Sequence, residues 1–253
     1  MWVIDMKQVL KPSILPRLTL ACGILGLVLQ LIFFSTGVDD KGLLPSAHWA
    51  ETCSWGLTIF MMVLLLLGVR DLGGIPKYDK LFPQSLPAAI GTILGGLGVG
   101  IAGLRLLAAR EAMLSLATGL IGCACALLLI VQGICRFRGK QLPSLTRIPV
   151  TLFCMLHLLC RYRVWSGSTQ LQEYGFSLLA SVFLMLACYQ RAALENKLSG
   201  RRIYTLCRLA ACFFAFLAAA RDPLYYFPAA IWMLTDSCSL RILPKKQSQA
   251  EEE

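Results

Sequence analysis

Charge is scarce in this chain: 15% of its 253 residues are Asp, Glu, Lys or Arg, where soluble domains carry roughly 25%. The deficit is made up by apolar residues, which reach 57%. Other absences narrow the chemistry. Among 11 cysteines there is no Cys-x-x-Cys pair and no zinc spacing, and the closest two, Cys123 and Cys125, lie inside one apolar run. Cysteines in such settings serve as small apolar filler. There is no serine elbow, no His-Glu-x-x-His pair and no pair of intramembrane aspartates. Gly139 and Lys140 lack the upstream glycine of a phosphate loop. No long soluble segment is present to carry a nucleic-acid-binding surface.

What is present is a series of long apolar runs. A helix needs about 18 or more apolar residues to cross a hydrocarbon core of ~30 Å. Reading runs between charged or Pro/Gly breaks predicts eight spans, at residues 17–36, 52–69, 86–108, 112–135, 147–165, 174–191, 203–220 and 224–241. Only Arg221, Asp222 and Pro223 separate the last two. The first run, Leu18 to Phe34, exceeds the about 7–15 residues of a signal-peptide core and is followed by no small-residue cleavage site, so it reads as a retained span. Residues 1–244 are therefore expected to form one transmembrane helical domain, an all-α polytopic bundle, and residues 245–253 a short polar cytoplasmic tail.

The basic residues supply an independent test, because cytoplasmic loops carry the excess of Lys and Arg. With the N-terminus inside and eight alternating spans, 17 of the 24 basic residues fall inside and six outside, with Arg208 within a span. This predicts a plasma-membrane protein with both termini in the cytoplasm. Its net charge of +10 then faces anionic lipid headgroups on the cytoplasmic side. The expected partners are that bilayer and a homo-oligomer or larger membrane complex, not nucleic acid; no cofactor is expected.

Each even-numbered span enters from outside just after an acidic residue: Glu51, Glu111, Glu173 and Asp222. Three continue with hydroxyls at helical spacing: Glu51, Ser54 and Thr58; Glu111, Ser115 and Thr118; Glu173, Ser177 and Ser181. Offsets of three, four and seven or eight place each trio on one face. The pattern suggests four repeated helical hairpins, with the trios lining a polar path from outside. The plainer reading is that the carboxylates complement helix dipoles and the hydroxyls bond to neighbouring helices.

His157 lies mid-span, and Gln30 and Gln132 are the other central polar groups. An ionisable residue at that depth marks a pathway or makes an internal contact; helical arithmetic puts His157 level with Ser177. The first outer loop offers Asp39, Asp40, His48 and Glu51, with His48 and Glu51 one helical turn apart. Two such ligands fall short of the three or four a metal site needs, so no metal is expected. The third span carries Gly91, Gly95, Gly96 and Gly100, two small-xxx-small pairs that allow close helix approach within the bundle or between protomers. Finally, Arg208 and Asp236 each lie 14 residues from a turn at Asp222. That gives equal depth, about 21 Å from the turn, and predicts an intramembrane ion pair.

These features are those of a transporter or permease-like protein for a small solute or lipid-related molecule, with no catalytic motif. The alternatives are an accessory, sensory or scaffolding subunit, served by the glycine face, and an intramembrane lipid-modifying enzyme, which requires carboxylates converging on His157.

Overall fold

The computed structural model describes residues 14–36, 48–70, 72, 85–109, 113–140, 144–166, 174–196 and 198–239. These residues form eight α-helices and no strand: α1 (Leu15–Thr36), α2 (Trp49–Arg70), α3 (Leu86–Ala109), α4 (Met113–Phe137), α5 (Ile148–Trp165), α6 (Gly175–Glu195), α7 (Arg201–Ala218) and α8 (Pro223–Cys238). A short 3₁₀ turn, Ser144–Arg147, leads into α5. The eight predicted spans correspond one to one with these helices. The second begins three residues earlier than expected because the His48 ring nitrogen Nδ1 accepts the Ala50 N–H at 3.2 Å, satisfying a donor that the helix start leaves open. The tail at 245–253 lies outside the described residues.

Successive helices pack as hairpins, α1 on α2, α3 on α4, α5 on α6 and α7 on α8. The four hairpins are not equivalent. In the last one, α7 is the axis of the bundle and also packs against α1, α2 and α6. Every residue from Cys207 to Ala219 is buried. Five alanines and two cysteines in that stretch keep its girth small enough for several neighbours, while Phe213, Phe214 and Phe216 fill the gaps between them.

Five helices, α1 to α4 and α6, are long and apolar enough to cross a membrane by length and composition. They turn large apolar side chains outward: Ile59 is 66% exposed, Leu120 64% and Leu127 66%. Such a continuous apolar exterior belongs against lipid. Because lipid tails are as apolar as leucine, the driving force between these helices is close packing rather than exclusion of water.

The glycines of α3 show how close that packing is. A methyl group added at Gly91 would overlap Thr235, one at Gly95 would lie 2.8 Å from the Trp232 ring, and one at Gly98 2.9 Å from Pro228. This face seats α8. A second face, Gly96, Gly100 and Gly103, meets α4 at Ala126 and at the backbone of Gly119 and Cys123. Both small-xxx-small pairs are therefore used within the bundle. Pro228, inside α8, packs its ring against Gly98.

Replacing Gly95 or Gly96 with leucine is expected to cost at least about 1–3 kcal/mol, the range for overpacking, and to lower the yield of monodisperse protein in detergent. Gly56 has nothing within 4 Å of its added carbon, so Gly56→Leu serves as the silent control. Fluorescence-detected size exclusion compares the three directly; equal yields would show that α3 has room for side chains.

Candidate functional site

Polar groups collect at the two ends of the bundle, and the ends differ in kind. At one end the C-terminal turns of α4, α6 and α8 meet the first half of α7. There Asp236, with 0% of its side chain exposed, receives three guanidiniums. Arg136 (α4) bonds one carboxylate oxygen, and Arg191 (α6) and Arg208 (α7) bond the other. Arg136 also donates to the Ser239 hydroxyl at 2.7 Å, and Arg208 Nε donates to the Met233 carbonyl at 3.3 Å. The Arg208 guanidinium lies 5.2 Å from the centroid of the Tyr204 ring.

The network extends sideways. Glu195 accepts Arg147 at 2.5 Å and lies 4.0 Å from Arg191. With its amide oriented to accept, Gln132 takes two bonds from Arg147 at 3.2 Å. Four arginines and two carboxylates, none more than 12% exposed, tie α4, the 3₁₀ turn before α5, α6, α7 and α8 together. Helical arithmetic paired Arg208 with Asp236, and the two are in contact. It did not find Arg136 or Arg191, whose positions at helix ends make them look like loop charges.

At the opposite end, around the α7–α8 turn, a cavity of about 530 Å³ opens between α3, α4, α5, α6 and the start of α8. Its mouth is organised by Asp222. This residue precedes the first turn of α8 but makes no capping bond to its own helix. Instead its two oxygens accept Arg105 from α3 at 2.8 Å and Arg161 from α5 at 2.7 Å. A third lining arginine, Arg221, lies over the Tyr174 ring at 3.7 Å.

Deeper in, the wall includes His157, Ser115, Ser177 and Tyr226. His157 is 1% exposed, set between the rings of Phe153 and Tyr225 at 5.5 and 4.6 Å. Its Nδ1 is enclosed and has no hydrogen-bond partner among the described residues. The Tyr226 and Ser181 hydroxyls lie 2.9 Å apart, and both reach the Ser177 carbonyl, at 3.1 and 2.9 Å.

Of the expected polar path, Ser115, Ser177 and His157 line the cavity, while Ser54, Thr58, Thr118 and Ser181 do not. The hydroxyls of those four each donate to the carbonyl four residues earlier, at 2.7 to 2.9 Å, the usual satisfaction of a serine or threonine in a helix away from water. Thr118 additionally lies 3.4 Å from the Cys160 sulfur. His157 shares the cavity with Ser177 without bonding to it. Gln30 is buried, with its amide nitrogen unpartnered among the described residues.

Glu51 stands in the first turn of α2, and Glu111, Glu173, Asp39 and Asp40 lie outside the described residues. His48 caps α2 through one ring nitrogen and lies 3.3 Å from the Thr36 hydroxyl through the other. Among the described residues no three His, Cys, Asp or Glu side chains are grouped to hold a metal ion. The cavity arginines were not foreseen as site residues; Arg105 and Arg161 each lie within the last turns of an odd-numbered span, and that shared position was the available signal. No family model, curated protein or solved structure matches this chain.

The Asp236 network yields an asymmetric expectation. Asp236→Ala leaves several buried arginines without that carboxylate and should cost about 3–5 kcal/mol. Arg208→Ala leaves Asp236 with Arg136 and Arg191 and should cost less, about 1–3 kcal/mol. The double variant should recover part of the summed loss, as coupled groups do. Thermal unfolding in detergent measures all three. Simple additivity would show that Arg208 and Asp236 act independently.

Proposed function

We propose that this membrane protein is permease-like and admits a small polar solute, or the polar part of a lipid-related molecule, through the cavity at the α7–α8 turn. The observation that carries this reading is the asymmetry of the bundle: a cavity of about 530 Å³ with mixed polar and apolar lining at one end and a buried arginine–carboxylate network across the other. That is the form of a carrier open on one side. The positive-inside bias of the sequence supports placing the cavity end outside and both termini in the cytoplasm, and the membrane of this scheme is the plasma membrane.

Two observations weigh against the alternatives. The glycines of α3 that would have served an oligomer interface are occupied by α4 and α8. The enzyme reading needs carboxylates near His157, and the one acidic residue of the described cavity lining, Asp222, is engaged by Arg105 and Arg161. Passage through the bundle would require the Asp236 network to separate, which makes that network the inner gate of this scheme.

Two measurements test the reading. A reporter fused after Glu253 should read cytoplasmic and one inserted near Lys41 external; the reverse would overturn the orientation. In a background with Cys53 and Cys160 replaced by alanine, cysteines at Ser115 and Ser177 should react in intact cells with a small membrane-impermeant thiol reagent. Leu120→Cys, on the lipid face, and Ala215→Cys, in the enclosed axis, should not. Protection of both cavity positions equal to that of Ala215→Cys would remove the entry route.

A further inference from the structure

We propose that Asp222, Arg105 and Arg161 form a strap across the cavity mouth that sets the bulk of the solute admitted; this rests on the cavity being open as proposed above. The strap joins three separate parts of the bundle. Arg105 stands in the last turns of α3 and Arg161 in the last turns of α5, while Asp222 immediately precedes α8. Each arginine takes a different oxygen of Asp222, at 2.8 and 2.7 Å, and all three residues line the cavity. An aspartate at a helix start ordinarily accepts an N–H of its own first turn. Asp222 makes no such bond, so both of its oxygens serve the bridge between helices.

The packing around the strap makes it the closure of the mouth. α3 packs along α4 and α8, and α5 along α4 and α6. Among the described residues α3 and α5 do not pack closely on each other, so the two ion pairs span the gap between them. α5 and the start of α8 meet at two levels. At the rim Arg161 reaches Asp222. One helical turn further in, about 6 Å, the His157 ring lies 4.6 Å from that of Tyr225. The two levels differ in strength. Both rings are buried, whereas Arg105 and Arg161 are partly exposed, and ion pairs in contact with water are weak. α5 is therefore held firmly at the cavity floor and loosely at its rim. Intact, the strap draws the ends of α3 and α5 toward one carboxylate and keeps bulky solutes out. Released, it lets the last turn of α5 lean away about the His157–Tyr225 contact.

The test uses the full chain in intact cells, with Cys53 and Cys160 replaced by alanine and His157→Cys as a reporter one turn beneath the strap. The probes are neutral maleimides carrying polyethylene glycol groups of graded bulk, so a change in local charge does not itself steer them. With the strap intact, a bulky probe should react at least about tenfold more slowly than a small one. Arg105→Gln and Arg161→Gln should each speed the bulky probe about two- to fivefold, the factor that a partly exposed ion pair supplies. Asp222→Asn breaks both pairs and should speed it at least as much. The small probe should be unaffected. Arg161→Lys, which keeps the charge, should retain most of the filter. Arg163→Gln removes an equal charge on α5 outside the cavity lining and should change nothing. Ala215→Cys, in the enclosed axis, should stay protected throughout; if Asp222→Asn exposes it, the two arginine variants decide.

Equal rates for small and bulky probes with the strap intact, no gain in the arginine variants, or an equal gain in Arg163→Gln would each overturn the proposal. Opposite effects of Arg161→Gln and Asp222→Asn would do the same, because they would report local charge and not a shared bridge. If the strap fails in this way while a small thiol reagent reaches Ser177→Cys, the permease reading stands. Protection of both Ser177→Cys and His157→Cys from the small probe in every variant removes both.

Discussion

Asp236 is the point on which the bundle is drawn together. A carboxylate with no exposed surface is tenable inside an apolar assembly only when its charge is matched and its lone pairs are filled. Here the matching groups come from three other helices, Arg136 of α4, Arg191 of α6 and Arg208 of α7. Each arginine has a further contact, but the carboxylate is what they share, and it is not tenable without them. The requirement is shared, so it fixes the relative depth of four helices at once. Dispersion between apolar helix faces cannot do this, since sliding one such face along another changes little.

The depth so fixed allows close packing elsewhere. With α8 held at Asp236, its Trp232 and Pro228 come level with Gly95 and Gly98 of α3, and Thr235 with Gly91. Backbone approach of that kind tolerates almost no axial error. The enclosed axis α7 follows the same logic. Its alanines and cysteines give neighbouring helices room, and Cys212 spends its weak donor on the Ala230 carbonyl of α8 at 3.6 Å. A helix with Arg201, Arg202 and Arg208 does not read as a strongly apolar span, and it need not be one, because protein rather than lipid surrounds it.

The two ends apply one residue type to opposite purposes. At the Asp236 end, arginines and carboxylates interlock with little exposure and fill the space between helices. Around Asp222, Arg105 and Arg161 are 47% and 34% exposed and stand around a void. The difference comes from the carboxylates. Asp236 sits inside α8, with helices on all sides to close on it. Asp222 sits in a turn, where its partners reach it from helix ends and leave the space between α3, α4 and α5 unfilled. The proposed route of entry and the proposed gate follow from that contrast.

The sequence by itself determined the helices and their order. Runs of apolar residues long enough to cross a bilayer are a local property, and the solvent dictates their conformation because an unpaired backbone group is costly in lipid. The Arg208–Asp236 contact was legible for a related reason: two helices joined by a four-residue turn have a nearly fixed register, so counting from Asp222 gives depth. The hydroxyl stripes divide between the two readings because helical spacing defines a face without saying what that face meets. Ser115 and Ser177 reach the cavity, while Thr58 and Thr118 bond back to their own helices. Only the tertiary structure decided that α7 is the axis, that α3 spends its glycines on α4 and α8, and that Arg105, Arg161 and Asp222 meet. Those residues are 56 and 61 positions apart along the chain, and their meeting depends on how non-adjacent helices are arranged around α7. That arrangement is set by side-chain volume and by the pairing of a few buried charges, neither of which has a period that can be read along a single strand of sequence.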